Sequence, residues 1–301
     1  MSADRADPTL TRMHTAETLA ADLARLGVSP GGVLVVHSGF RALGAVEGGP
    51  EAVAAALVRA VGVGTLLAPS FTSNLIDPRS WPVPPAPAER ARILATMPVF
   101  DPARSPPYKM GAIAEALWRW PGARRSRHPV TSWVAIGPLA AELTDEHDLD
   151  DPEGLGGPVG RAYQRDAQVL LLGVDHDANT TIHLAESLLD LPHLRALPDL
   201  YPALLADGRR EWRPVRKTTK CSDGFVKAGP HLAPACRSGQ VGDAAALLLR
   251  SRDVVRITRE LLLREPAALL CDDPECVHCP TSRAALASWR PAQVGPGDCC
   301  G

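Results

Sequence analysis

Apolar residues recur along the chain in two alternating periods, and each period predicts an element. Leu19, Leu23 and Leu26 share one face of a helical stretch over 15–26, which Gly27 closes. The unbroken run GGVLVVHS, 31–38, predicts a buried strand that ends in polar residues. A second helix follows over 48–62, with Pro50 at a favourable first-turn position and Glu51 suited to the helix dipole. GTLLAPS, 64–70, is a second apolar strand, again ending in hydroxyls at Ser70, Thr72 and Ser73. This β-α-β alternation predicts an α/β fold, a central parallel or mixed sheet flanked by helices.

Beyond the second strand the pattern breaks. Residues 74–107 are rich in Pro and polar groups, too long for a plain connection, and read as a functional loop around the crevice that carries Asp77, Glu89 and Asp101. MGAIAEALWRW, 110–120, is amphipathic and stops before Pro121. A basic, hydroxyl-rich turn over 124–132 feeds a third strand ending at Gly137, and three arginines beside Ser126 and His128 would suit a phosphate. QVLLLGV, 168–174, predicts another buried strand. Residues 197–217 read as a hairpin turned at Asp207-Gly208, within a lid-like insertion over 193–240. A long helix is expected over 243–264, striped by Leu247, Leu248, Val254, Val255 and Leu262.

The chain's chemistry concentrates in DHDANTTIHLAE, 175–186, directly after the 168–174 strand. Asn-Thr-Thr suits a helix N-cap, so the stretch is a strand-to-helix crossing, where open α/β sheets present functional side chains. His183 and Glu186 are three apart and share a helical face, so the carboxylate would orient the imidazole. Asp177 would hang over the same crevice. Asp175, His176, Asp177 and His183 match no metal-ligand spacing.

Composition bounds the rest. At 301 residues and 45% hydrophobic the chain buries a full core. A net charge of −2 supplies no global field for nucleic acid or membrane binding, and no apolar run approaches the ~20 residues of a bilayer span. The polar N-terminus makes a cytoplasmic protein the expectation. GxGxxG, Walker A and GxSxG are missing, which argues against dinucleotide, kinase and serine-hydrolase chemistry. All seven cysteines fall in the last third of the chain. CDDPECVHC places Cys271, Cys276 and Cys279 in a 265–301 appendage, and Cys276 with Cys279 is the C-x-x-C half of a tetrahedral zinc site. Cys221, Cys236 or the Cys299-Cys300 pair would supply the other half; inert or redox thiols are the alternative. The candidate set is Cys221, Cys271, Cys276 and Cys279.

Six ordered blocks resemble the aminoglycoside 3-N-acetyltransferases: VHSGFRALG (36–44), GTLLAPSFT, FDP (100–102), MGAIAE, RSRHP (125–129) and LLLGVDHDANTTIHLAE (170–186). The resemblance runs from Arg12 to Leu191. Downstream, Cys221, VGDAAALLLRSRDVV, REPAALL and the C-x-x-C tail look most like the class IV, apramycin- and gentamicin-accepting branch. It implies one acetyltransferase domain of the family's own fold, distinct from the GNAT fold, with acetyl-CoA as donor and the 3-amino group of 2-deoxystreptamine as acceptor. The implied general base is His183, oriented by Glu186, with Asp177, Asp77 and Asp101 on the side of the cationic acceptor. His37, Ser38, Arg41, Thr72, Ser126 and His128 fall on the acetyl-CoA side. The sequence departs from the family at Gly39, where a second Ser often follows VHS, at GGPVGRAY (156–163) in place of an SPL-type turn, and at 74–97, inserted relative to class IV. A different amine acceptor, and a zinc-containing regulatory protein built on the tail, are the competing readings. The subunit is expected as a monomer or homodimer.

Overall fold

The structure, a computed structural model, describes residues 13–290 except 82, 206 and 219; the Cys299-Cys300 pair lies outside the described residues. Helix α1 (Ala16–Leu26) starts on a reciprocal cap between Thr15 and Thr18 and ends at Gly27, whose φ of 106° only glycine adopts readily. Strand β1 (Val33–Ser38), helix α2 (Gly49–Val61) and strand β2 (Thr65–Pro69) follow at the expected places. The 74–107 segment is more ordered than a loop. It holds a short 3-10 turn (Pro78–Ser80) and helix α3 (Pro87–Thr96), none of whose residues is buried. An element that packs no apolar face leaves no stripe to read in the sequence.

Helix α4 (Ala112–Trp118), the two-residue β3 (Arg124–Arg125), β4 (Trp133–Ile136), α5 (Ala140–Thr144) and α6 (Pro158–Gln164) lead to β5 (Gln168–Leu172) and α7 (Thr181–Leu188). The hairpin is β6 (Asp199–Leu204) and β7 (Arg210–Val215), turned at Gly208 with φ 82°. After the short α8 (Gly229–Leu232) come β8 (Arg237–Val241), β9 (Ala244–Arg250), α9 (Ser251–Arg264) and α10 (Cys279–Leu286).

The helix expected over 243–264 is therefore half wrong: Ala244–Arg250 is a strand. AAALLLR has helical propensity, but it lies between β5 and β8, with Leu170 opposite Leu248 and Leu248 opposite Arg237. Ladder bonds and burial on the sheet outweigh intrinsic preference.

The main sheet runs β3-β4-β2-β1-β5-β9-β8. Its centre, β2-β1-β5, is parallel and its flanks are antiparallel. Central strands are buried on both faces. Leu34, Val36, Leu170 and Leu172 point into one core with α1, α2 and α4, while Val33, Val35, Val169 and Leu171 point into another with α5, α6 and α7. That explains continuous apolar runs in place of alternation. A third core joins Ile182 of α7 and Phe225 to Leu261, Leu269, Leu270, Cys271 and Cys279, so the cysteine segment packs on the helix that carries His183.

Candidate active site

Chain order reverses across β1, with β2 on one side and β5 on the other, and the carboxyl ends of these parallel strands open on a shared crevice. After β5, Asp175 caps a tight turn over His176–Ala178, and Asn179 accepts from the Thr181 N–H at 3.2 Å. These bonds launch α7 out of the crevice and set His183 one turn in.

His183 is 9% exposed and packs edge-on against Phe225 at 4.5 Å. Its Nδ1 lies 2.7 Å from Oε2 of Glu186. An ionised carboxylate only accepts, so Nδ1 carries the proton and Nε2 keeps a lone pair. Burial would raise the Glu186 carboxyl, but bonds from His183 and His193 outweigh it and hold the pKa at about 2. The second partner, His193, reaches Oε1 at 3.3 Å from a 3-10 turn over Pro192–Arg195. It escaped the sequence reading because it lies beyond the helix end, where no periodicity pairs it with Glu186. Behind the dyad, His37 is buried edge-on to Trp133, and burial, then the neighbouring His183, lowers it to about 3.

His183 faces a cavity of about 1000 Å³. Its floor is Phe71, His128, Val130 and Thr131; one side is the 74–97 segment with Trp81, Arg92 and Ile93; the other is the hairpin and the residues after it, Asp199, Val215, Lys217 and Lys220. His278, between two cysteines, completes the wall. A second cavity, about 10 Å³, separates His183, Glu186 and His193 from Cys221 and Cys279.

The four candidate cysteine ligands converge. The Sγ atoms of Cys221, Cys271, Cys276 and Cys279 all lie within 4.8 Å of one another, and Cys271 and Cys279 sulfurs are 3.3 Å apart. A tetrahedral zinc thiolate site, with bonds of ~2.3 Å, puts its sulfurs about 3.8 Å apart, so the set fits that ion. Burial pushes Cys276 up, yet the backbone N–H groups of Cys279 and His278 outweigh it and bring the thiol to about 7. Cys236 stands apart, its thiol on the Arg237 carbonyl.

The sequence profile described as Aminoglycoside 3-N-acetyltransferase matches residues 35–263. The chain belongs to the aminoglycoside 3-N-acetyltransferase family. It is 36% identical over 256 residues to aminoglycoside N(3)-acetyltransferase IV of Salmonella sp, covering 84% of this chain and 88% of that protein. Among solved structures, a variant of aminoglycoside acetyltransferase AAC(3)-IVa in complex with a gentamicin superposes with a TM-score of 0.78 at 35% identity, covering 92% of this chain and 99% of that one. AAC-IIIb, binary with CoASH, gives 0.72 at 31%, covering 84% and 97%. The chain is thus an acetyltransferase, and the regulatory-protein reading falls.

Within this acetyltransferase several expected contacts are not where the sequence suggested. Asp77 is 4% exposed, caps the Arg79 N–H and pairs with Arg79 at 2.7 Å and Arg90 at 3.5 Å; its charge is consumed inside the segment. Asp101 caps the Ala103 N–H and Asp177 the Ala178 N–H. None of the three lines the large cavity. On the donor side Thr72 is buried and donates to the Pro129 carbonyl at 2.7 Å. Ser126 accepts from the Trp133 N–H at 2.8 Å and bonds His147, while Nδ1 of His128 accepts from the Thr131 N–H at 2.9 Å. Arg125 turns its guanidinium inward: it donates to the Ser70 and Ser105 carbonyls and stacks on Phe100 and Trp118. In the RSRHP block, then, Arg125 and Ser126 shape the floor from below, and His128 forms part of it. Of the predicted donor residues, half-buried Ser38 and exposed Arg41 remain accessible at the end of β1.

Proposed function

We propose that this enzyme transfers acetyl from acetyl-CoA to the 3-amino group of the 2-deoxystreptamine ring of an aminoglycoside, with His183 as general base, and so confers resistance in the cytoplasm. The observation that carries the reading is the 2.7 Å His183–Glu186 bond at the mouth of a cavity closed by the 74–97 segment and the hairpin. The CoASH and gentamicin complexes of its relatives support the two substrates.

An aminoglycoside amine is largely protonated near neutral pH and cannot attack until a proton leaves. Nε2 of His183 takes that proton, the amine nitrogen bonds the thioester carbonyl carbon, and the resulting oxyanion collapses with loss of the CoA thiolate, which takes the second nitrogen proton and leaves as the thiol. Glu186 fixes the tautomer and stabilises the imidazolium; base assistance of this kind is worth ~10²–10⁴ in rate. No cysteine lines the large cavity among the described residues, so transfer is direct, within a ternary complex. Lys109, on the wall and with no carboxylate in salt-bridge range among the described residues, joins Arg41 as a partner for the donor's phosphates. The four cysteines would hold a structural zinc ion, which would tie the loop after β7 to the segment after α9.

One observation favours the runner-up, an amine other than an aminoglycoside: the wall carries Arg92, Lys109, Lys217 and Lys220 against a single carboxylate. Thiol release from acetyl-CoA with apramycin, gentamicin, kanamycin and spermidine decides between them. Turnover on the deoxystreptamines that falls about 10²–10⁴-fold in His183→Ala, with CoA affinity kept, supports the reading. Turnover on spermidine alone moves the acceptor to the runner-up.

A further inference from the structure

Asp199 is the one carboxylate on the wall of the large cavity among the described residues. It opens β6, and is 6% exposed. Its Oδ1 bonds the ammonium of Lys220, which lies on the same wall from the other end of the hairpin. His278 of the cysteine segment lines the same cavity. Three elements distant in sequence thus place one acid, one ammonium and one imidazole on the wall of the cavity that His183 faces.

The other cations on that wall are differently placed. Lys217 is bound at 2.7 Å to Asp151, itself fixed by the Ser187 hydroxyl, and at 3.0 Å to Asp190. Neither acid lines the cavity, so an incoming ligand leaves these pairs intact. Arg92 and Lys109 have no acid on the wall beside them. Among the described residues, only the Asp199–Lys220 pair has both members on the surface a ligand touches.

We propose that Asp199 is the subsite for a second ammonium group of the acceptor, with Lys220 as its counter-charge until the acceptor enters. The proposal rests on the acetyltransferase reading above and adds to it the residue that holds a further ammonium of the acceptor, which binds by exchanging with Lys220. Exchange of one ammonium for another conserves the charge on Asp199 and leaves no buried carboxylate unpaired. A monoamine gains nothing from it.

The test uses the full-length enzyme and three variants, Asp199→Asn, Lys220→Met and the double substitution. Steady-state constants are measured for gentamicin and acetyl-CoA, and binding of gentamicin, spermidine and butylamine is measured by calorimetry without acetyl-CoA. Asp199→Asn should raise the KM for gentamicin by roughly 10- to 100-fold, the worth of one charge-assisted bond, and leave the KM for acetyl-CoA unchanged. Lys220→Met should lower the gentamicin KM, because the competing cation is gone. The double variant carries no orphaned charge, so it folds even where Asp199→Asn does not, and should keep the raised KM. Unchanged gentamicin constants in the double variant, or equal losses for gentamicin and acetyl-CoA, overturn the proposal. If the native enzyme acetylates no deoxystreptamine, the acceptor reading fails separately. Calorimetry then still decides: polyamine binding weakened in Asp199→Asn sustains the subsite, and polyamines bound equally by all four proteins, or by none, remove it.

Discussion

Glu153 shows how far one residue's behaviour departs from its type. It is 3% exposed, and burial, opposed by Thr131 and reinforced by Asp151, raises its carboxyl to about 8. The folded protein therefore holds it protonated. Below the ordinary value of 4.5 both folded and unfolded chains carry the proton, and the folded state loses nothing. Between 4.5 and about 8 the unfolded chain ionises while the folded one does not, so stability falls as pH rises. Glu153→Gln removes this penalty. It should be more stable than the native protein at pH 8, by up to about 3 kcal/mol, and no more stable at pH 4, as read by urea unfolding at both pH values. Nothing in the sequence hints at this, because DDPEGLGG reads as a solvated turn; only the packing of Thr131 and Asp151 around it decides otherwise. Gly39 is the opposite case. The missing second hydroxyl was legible, but its reason was not: a Cβ there would lie 2.7 Å from the Gly173 carbonyl. Gly39→Ser should push the loops after β1 and β5 apart, costing about 1–3 kcal/mol of stability and raising the KM for acetyl-CoA, both measurable on the purified variant.

At the scale of elements, the strand-to-helix crossing at 175–186 was the most readable part of the chain, since a cap signal and an i, i+3 His/Glu pair are local properties. The cysteine segment was readable in composition, and folding brings its thiols together. The four sulfurs close over the loop after β7 and the start of α10. Zinc analysis on the purified protein should return about one equivalent per chain. Cys271→Ser, which removes a buried ligand, should lower that content and the melting temperature together, and chelator should destabilise the native protein but not the variant. Because a cavity of only about 10 Å³ separates this cluster from Glu186 and His193, the same variant should also lose turnover without a change in CoA affinity. The long 74–107 segment was legible as a segment around the crevice and not as helical. Its α3 is held by Arg210, which donates to the Leu94 carbonyl at 2.6 Å, a side-chain bond that leaves no pattern in either segment.

For the whole molecule, the packing load is shared between the sheet's two buried faces. Leu170 lies at the centre, fully buried and flanked by Val36 on β1 and Leu248 on β9. Leu170→Ala should cost about 2–5 kcal/mol in chemical denaturation while leaving the KM of both substrates in place. What the sequence alone determined were the features written in short windows: the β-α-β core, the capped helix with His183 and Glu186, the hairpin turn at Asp207-Gly208, and the C-x-x-C pair. Periodicity, capping and turn chemistry act over a few residues, so they survive without a structure. What only the tertiary structure decided were matters of partnership between distant residues. The run 244–250 became a strand because β5 and β8 offered it ladders. Asp77 turned to Arg79 and Arg90 and away from the cavity lining, His193 joined the dyad from beyond the helix, and Asp199, inconspicuous in the sequence, became the acid on the cavity wall. A carboxylate's role depends on which charges reach it and whether water does, and neither is set until the chain has folded.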